Sequence, residues 1–165
     1  MKNFYLTMLL LQCALFAAVG QEHVTDSIKR LLVLTQQDTK RVLLLSELAG
    51  TYQFFNSDTA IVLAQQAIAL AQKLQFSKGE SRALTRLGEV MRVRGEFPQA
   101  LEANLKGLRL SRQTNNIEEE ANTLSFTALI YIDLGEYRQG LNYLLLAKKI
   151  YEVFLNNCLH MVIRT

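Results

Sequence analysis

Residues 95–101 read Gly-Glu-Phe-Pro-Gln-Ala-Leu, and residues 135–141 read Gly-Glu-Tyr-Arg-Gln-Gly-Leu. The two stretches lie 40 residues apart and agree in side-chain chemistry at most positions. Because a recurrence every roughly 20 to 50 residues is typical of solenoids and other repeat arrays, this pair of stretches predicts a repeat protein.

Small residues recur at the same spacing on both sides of this motif. In each copy the first helix carries one small residue, and the second helix carries two more, seven positions apart. Residues at this spacing share one helix face, and small side chains there let two backbones approach closely. The small residues are Ala49, Ala60 and Ala67 in the first copy, Gly88, Ala100 and Gly107 in the second, and Ala128, Gly140 and Ala147 in the third.

Capping signals set the expected helix boundaries. Ser77 and Glu80 form a capping-box pattern, and Asn116 precedes three glutamates that suit the first turn of a helix. Pro98 fits a first turn, and Gly95 fits the residue after a helix end. The sequence predicts helices near residues 26–36, 39–55, 58–75, 78–94, 97–113, 117–134 and 137–155.

The composition favours an all-helical domain. Of the 165 residues, 50% are apolar and 20% are charged, and there is one proline. A chain of this length is expected to form one domain with its own core. Composition and repeat together predict an all-α fold, an α-solenoid of antiparallel helical hairpins with about three repeats of about 40 residues.

The N-terminus has the pattern of a secretory signal peptide. Lys2 precedes a mainly apolar run over residues 4–19, and small residues stand at its end. We therefore predict a signal peptide at residues 1–20, cleaved after Gly20, and a periplasmic location in a bacterium. The alternative is a permanent membrane anchor, but the run is shorter than the roughly 20 residues that a spanning helix needs.

The two cysteines predict no structural bond. Cys13 lies in the apolar run, and the bulky Gln12 before it disfavours a lipoprotein signal. After cleavage Cys158 would be the remaining thiol, which can form neither an intramolecular disulfide nor a cysteine-based zinc site. The fold is therefore expected to depend on packing alone.

Two copies of a longer motif surround the glycines at 95 and 135. They are Leu84-x-x-Leu87-Gly88-x-x-Met91 with Gly95-Glu96-Phe97-x-x-Ala100, and Leu124-x-x-Thr127-Ala128-x-x-Tyr131 with Gly135-Glu136-Tyr137-x-x-Gly140. On these residues the repeat resembles the tetratricopeptide repeat (TPR) over residues 39–155.

A signal peptide, a leading segment with a short helix at 21–38 and such repeats also resemble the exported N-terminal region of bacterial sensor histidine kinases and related regulators. The TPR resemblance implies a non-enzymatic scaffold that binds a protein or peptide segment. The alternative is a sensory input region.

The repeat pattern stops at an atypical tail, residues 156–165. Arg164 stands where the repeat would place leucine, and the helix predicted at 137–155 carries apolar residues that a following helix would cover. These features suggest a truncated or interrupted longer protein, with the last helix as a surface for self-association. The alternative is a tail that folds back as an imperfect cap.

Two predicted helix faces carry the candidate ligand-binding residues. Arg82, Arg86 and Glu89 share a face of helix 78–94, with Arg92 beside Glu89. Two arginines so close together suit the binding of a carboxylate, such as a peptide C-terminus, and the family's carboxylate-binding clamps also use basic residues on this face. The alternative is a solvated charged face, which is the more common origin of such a pattern.

Asn122 and Phe126 stand on the matching face of the helix predicted at 117–134. An exposed phenylalanine beside a polar group could hold an apolar side chain of a bound segment. The alternative is that Phe126 packs into the neighbouring hairpin.

Other function classes find no support in the sequence. His23 and His160 stand near no serine–acid or cysteine arrangement, so we predict no catalytic residues, no metal site and no cofactor. The formal net charge is +3, and loss of Lys2 with the signal peptide would leave 17 basic against 15 acidic residues. That balance is far from the basic surface that nucleic-acid binding requires.

Overall fold

The computed structural model describes the backbone of residues 24–163 and the side chains of residues 24–156, and its regular elements there are all helices. The predicted signal peptide, residues 1–20, lies outside the described residues. The helices are α1 at residues 24–34, followed by α2 (Thr39–Tyr52), α3 (Ser57–Lys73), α4 (Ser77–Val93), α5 (Phe97–Gln113), α6 (Ile117–Asp133) and α7 (Tyr137–Ile163).

Helices α2 to α7 form three consecutive hairpins. Each hairpin packs its two helices together, and its second helix contacts the first helix of the next hairpin. The first helices also contact one another, α2 with α4 and α4 with α6. Over the part of the chain that the structure describes, no such contact joins the second helices α3, α5 and α7. The first helices therefore form an inner layer, and the second helices form an outer layer. This arrangement confirms the predicted all-α solenoid.

The stripe of small residues lies between the helices, as the sequence predicts. Ala60, Ala67 and Ala100 are fully buried, and Gly140 is buried as well. At Gly107 an added Cβ would lie only 3.1 Å from the carbonyl oxygen of Ser81, so the backbones of α4 and α5 approach each other closely there. Small side chains thus set the spacing within and between hairpins.

Helix α1 packs against the first hairpin and extends its core. Ile28 and Leu32 are buried in a cluster with α2 and α3 residues such as Leu45 and Leu70. The guanidinium of Arg41 donates through Nη1 to the carbonyl oxygens of Leu32, at 2.7 Å, and Thr35, at 3.1 Å. Because the last carbonyls of a helix have no partner within it, this arginine caps α1 from the next helix.

The predicted helix ends at glycine and the predicted proline are confirmed. Gly95 and Gly135 follow α4 and α6 at φ values of +78° and +80°, a backbone region that favours glycine. Pro98 lies in the first turn of α5, where its missing amide leaves no helical hydrogen bond unmade.

The predicted capping box at Ser77 and Glu80 is wrong. Phe76 is the residue before α4, its carbonyl oxygen accepts the amide of Glu80 at 3.0 Å, and no side chain caps the helix. The ring of Phe76 packs so closely on Gly79 that an added Cβ there would lie 2.3 Å from it. This packing starts the helix at Ser77 itself, and the carboxylate of Glu80 instead accepts from Gln72 Nε2 at 2.8 Å.

Helix α7 extends beyond its predicted end. The sequence predicts that this helix ends at residue 155, but the helical backbone continues to Ile163. The alternative of a tail that folds back as a cap is therefore wrong. The sequence after residue 155 contains no glycine or proline that would end a helix. Large apolar side chains of α7 are exposed, with exposed fractions between 49% and 69% for Tyr137, Leu141, Leu145, Leu146, Val153 and Leu155.

Candidate functional site

The inner layer of first helices encloses a cavity of about 260 Å³. Four of the six predicted site residues lie together there: Arg82, Arg86, Asn122 and Phe126. The remaining lining residues, which the sequence analysis did not single out as ligands, are Glu47, Thr85, Glu118 and Glu119. Side chains of α2, α4 and α6 thus meet at one site.

Arg82 lies between two carboxylates of α6. Its Nε is 3.3 Å from Glu119 Oε2, and its Nη2 is 3.8 Å from Glu118 Oε1. The Glu119 side chain is 3% exposed, whereas that of Glu118 is 63% exposed. The inner carboxylate therefore forms the stronger, partly desolvated pair, and the outer one faces the solvent.

Arg86 has the same environment, built from different helices. Its Nη1 donates to Glu89 Oε2 at 2.9 Å within α4, and its Nη2 is 3.6 Å from Glu47 Oε2 on α2. Glu89 is buried and Glu47 is more than half exposed. The repulsion between the two arginines is thus offset by carboxylates of the chain itself, and both guanidinium groups already have partners.

The other two predicted residues do not line the cavity. Glu89 acts behind it, by holding Arg86 in position. Arg92 lies farther along α4, where its Nη1 is 2.6 Å from Asp133 Oδ2 on α6. The spacing along α4 places these residues near one face. It does not show that Arg82 and Arg86 line the cavity whereas Arg92 pairs with Asp133 of α6.

A buried hydroxyl pair fixes the base of the cavity. Thr85 Oγ1 on α4 and Thr123 Oγ1 on α6 are 2.8 Å apart, and the Thr123 hydroxyl is also 2.7 Å from the carbonyl oxygen of Glu119. Both threonines are almost fully buried. This contact holds α4 and α6 at a set spacing directly beneath the charged groups.

An apolar cavity of about 310 Å³ adjoins the charged one. Glu118 lines both cavities, and the Tyr151 hydroxyl of α7 donates to Asn122 Oδ1 across the boundary at 2.6 Å. Burial, together with the negative charges of Glu118 and Glu119, raises the pKa of the Tyr151 hydroxyl. The apolar cavity is lined by Ile117, Glu118, Ile150, Tyr151, Phe154 and Leu155.

Among the described side chains, those of residues 24–156, no group of histidine, cysteine, aspartate or glutamate is arranged to hold a metal ion. None of the helices described within residues 24–163 combines the length and the hydropathy of a membrane span.

The family model of the SusR N-terminal TPR domain matches residues 19–139. The chain belongs to this family. The predicted tetratricopeptide repeats are therefore confirmed, and the matched residues include all of α2 to α6 and the start of α7. TPR arrays are typically non-enzymatic scaffolds for protein interaction. None of the curated proteins matches the sequence significantly.

Solved structures of TPR proteins share the fold at low sequence identity. BtubC (BKLC) from P. vanneervenii aligns with a TM-score of 0.61 at 20% identity, over 81% of this chain and 55% of that one. The TPR domain of Arabidopsis FLU aligns with a TM-score of 0.52 at 20% identity, over 73% and 98%. The nearly identical TPR-like repeats of a Podosopora anserina putative kinesin light chain align with a TM-score of 0.61 at 16% identity. The alignment covers 81% of this chain and 68% of that chain. This chain thus spans about half of the BtubC chain.

The TPR period explains why the cavity residues meet. Glu47, Arg86 and Phe126 occupy equivalent positions of the three first helices, 39 and 40 residues apart. Arg82 and Asn122 form a second equivalent row. Aligning the repeats places Glu47 on this face from the sequence alone, whereas the sequence marks Glu118 and Glu119 only as acids that favour a helix start.

Proposed function

We propose that this chain is a non-enzymatic TPR scaffold that binds a segment of another protein in the cavity between α2, α4 and α6. The supporting observation is that the aromatic ring of Phe126 and the amide of Asn122, both half-buried, line one opening with charged side chains from three hairpins. An aromatic side chain among hydrogen-bonding groups, in a recess, is the usual centre of a protein-binding surface.

The proposed location is the bacterial periplasm. The support is the cation, apolar run and small residues of positions 1–20, with cleavage after Gly20. Expression of the full chain in a bacterium, followed by mass spectrometry of the exported protein, tests this location. We expect the mass of a chain that begins at Gln21, and an uncleaved chain in the membrane fraction would contradict the proposal.

A second candidate function is a sensory input region of a bacterial histidine kinase or a similar regulator. The support for it is the resemblance of residues 1–155 to exported N-terminal sensor regions, together with a family model that describes an N-terminal domain. The coding sequence after codon 165 distinguishes the two functions. A membrane span and a histidine-phosphorylation module there would favour the sensor, and a stop codon followed by unrelated sequence would exclude it.

Selection from a random peptide display library tests the binding site directly. We expect the purified chain to enrich peptides whose affinity falls at least about tenfold for the Phe126→Ala variant, because truncating a central aromatic contact removes much of the binding energy. Leu105→Ala is the matched control, since Leu105 is a partly exposed apolar residue of the outer helix α5. Absence of enrichment, or binders indifferent to Phe126, would contradict the proposal.

The arginines are poor probes for this test. Arg82 neutralises the almost fully buried Glu119, so its replacement leaves a buried charge unpaired. A lost interaction in an Arg82 variant would then report the stability of the fold together with the affinity of the site. Phe126, Asn122, Glu47 and Glu118 avoid this difficulty.

A further inference from the structure

The charged cavity has more carboxylates than guanidinium groups. Its lining includes Glu47, Glu118 and Glu119 against Arg82 and Arg86, so one negative charge is left over. Glu89, which pairs with Arg86 from behind, adds another. The two buried carboxylates neutralise the two arginines, and the two exposed ones remain at the opening.

The outer carboxylates are weakly engaged. Glu118 lies 3.8 Å from Arg82 Nη2 and Glu47 lies 3.6 Å from Arg86 Nη2, and both carboxylates are more than half exposed. Each arginine has a closer carboxylate at another of its nitrogens. Such pairs contribute little in water and can be exchanged for a ligand at small cost. A carboxylate ligand would instead meet two like charges and two arginines that already have partners.

Phe126 is available for the same kind of ligand. Its ring lines the cavity with both outer glutamates, and the face of an aromatic ring attracts an ammonium or guanidinium group. On the other side of Glu118 lies the apolar cavity, whose lining includes Ile117, Phe154 and Leu155. A charged cavity next to an apolar one fits a peptide in which a charged side chain stands near an apolar side chain.

We propose that the site binds a peptide segment with a lysine or arginine side chain between Glu47, Glu118 and Phe126, and a neighbouring bulky apolar side chain in the cavity beside Phe154. This inference rests on the proposed function and specifies its ligand. The outer carboxylates, Glu47 and Glu118, exchange their contacts with arginine for contacts with the cationic group of the peptide. The apolar side chain of the peptide excludes water from the second cavity.

Synthetic peptides labelled for fluorescence polarisation test the charge preference. The peptides carry lysine, norleucine or glutamate at one position and leucine or serine at a nearby one. We expect the lysine–leucine peptide to bind tightest and its glutamate counterpart to bind at least about tenfold more weakly, because like charges placed together oppose binding. Its affinity should also fall as ionic strength rises.

A charge-neutralised variant locates the preference at this site. Glu47→Gln with Glu118→Gln should weaken binding of the lysine–leucine peptide roughly fivefold and leave the norleucine peptide unchanged. The matched control is Asp58→Asn with Glu102→Gln, which removes the same charge from exposed residues of the outer helices. An equal loss in both variants would show a general electrostatic effect and overturn the inference.

The apolar half of the site has its own variant. Phe154 is 42% exposed, so Phe154→Ser leaves the core intact, and it should weaken the leucine peptides about fivefold or more while sparing the serine peptides. Spermidine, a cation without an apolar part, should bind at least about tenfold more weakly than the lysine–leucine peptide. Equal affinities would overturn the assignment to a peptide.

Failure of this inference is distinct from failure of the proposed function. If the glutamate–leucine peptide binds as tightly as the lysine–leucine peptide, and Phe126→Ala still weakens binding of both, the cavity binds peptides but does not select them for positive charge. If neither these peptides nor any from the display library binds in a manner that depends on Phe126, the groove is not a peptide site and both proposals fail.

Discussion

Single residues set the distance between the helices of each hairpin, and Gly88 shows how narrowly. A Cβ added there would lie 2.1 Å from Asn104 Oδ1 and 3.0 Å from the carbonyl oxygen of Ala100. The Asn104 side chain is fully buried, and neither its Oδ1 nor its Nδ2 has a hydrogen-bond partner in the structure. The equivalent pair in the first hairpin is Ala49 and Ala64, both fully buried. The same contact between helices is thus formed by glycine and asparagine in the second hairpin and by two alanines in the first.

The Gly88 contact predicts coupled mutations. Gly88→Ala should lower the free energy of unfolding by about 1–3 kcal/mol, because the new methyl group cannot fit against Asn104 without displacing it. Adding Asn104→Ala should recover part of that loss, since it recreates the alanine pair of the first hairpin. Urea unfolding of both single variants and the double variant measures the coupling. Strictly additive effects would contradict the contact.

The sequence predicted the small residues of this contact but not its polar member. Gly88 was recognised because its partners in the other copies, Ala49 and Ala128, are also small. Asn104 stands where the other copies have alanine and leucine, and a hydrophobic pattern gives no reason to expect a buried amide there. Only the coordinates show that its carboxamide fills the space that Gly88 leaves open.

At the scale of the helix, the turns decide where each element begins. Asn56 precedes α3, and its side chain accepts the amide of Thr59 at 3.0 Å. Asn116 precedes α6 at the predicted position, but its side chain makes no capping bond. The residue before it, Asn115, has a φ of +49°, and Asn116 itself has a φ of −86° against −152° for Asn56. The same residue type therefore caps one helix and not the other.

The two asparagines form a matched pair for experiment. Asn56→Ala should lower the free energy of unfolding by about 1 kcal/mol, because it removes a side-chain bond to an unpaired amide of the first turn. Asn116→Ala removes no such bond and should cost less than about half as much. Thermal or urea unfolding followed by circular dichroism checks both values. A larger loss for Asn116 would show that its cap forms in solution.

Helix positions could be predicted from the sequence because they follow from periodicity and strong stop signals. The predicted helix at 97–113 agrees with α5, and the others begin within a few residues of their observed starts. The errors lie where a tertiary contact prevails, as when Phe76 packs on Gly79 and displaces the capping box. The predicted end of α7 is also wrong, because the repeat pattern breaks after residue 155 while the helical backbone continues to Ile163.

At the scale of the whole chain, charged side chains join the hairpins along the inner layer. Arg82 with Glu119 and Arg92 with Asp133 connect α4 to α6, and Arg86 with Glu47 connects α4 to α2. The sequence placed Arg82 and Arg86 on one face, yet it gave no partner for either. Those partners depend on how one hairpin is rotated against the next, which local periodicity does not determine.

The pairs of Arg82 should differ in their effect on stability because they differ in burial. Arg82→Met keeps the aliphatic stem but leaves Glu119, whose side chain is 3% exposed, without its cation, so we expect a loss of roughly 1–3 kcal/mol in the free energy of unfolding. Glu118→Gln removes the partner that is 63% exposed and should cost less than about 0.5 kcal/mol. Urea unfolding of the two variants compares these effects, and equal losses would mean that Glu119 reaches water in solution. If the predicted order is observed, the inner glutamate stabilises the contact between α4 and α6, and the outer glutamate remains free to contact a ligand.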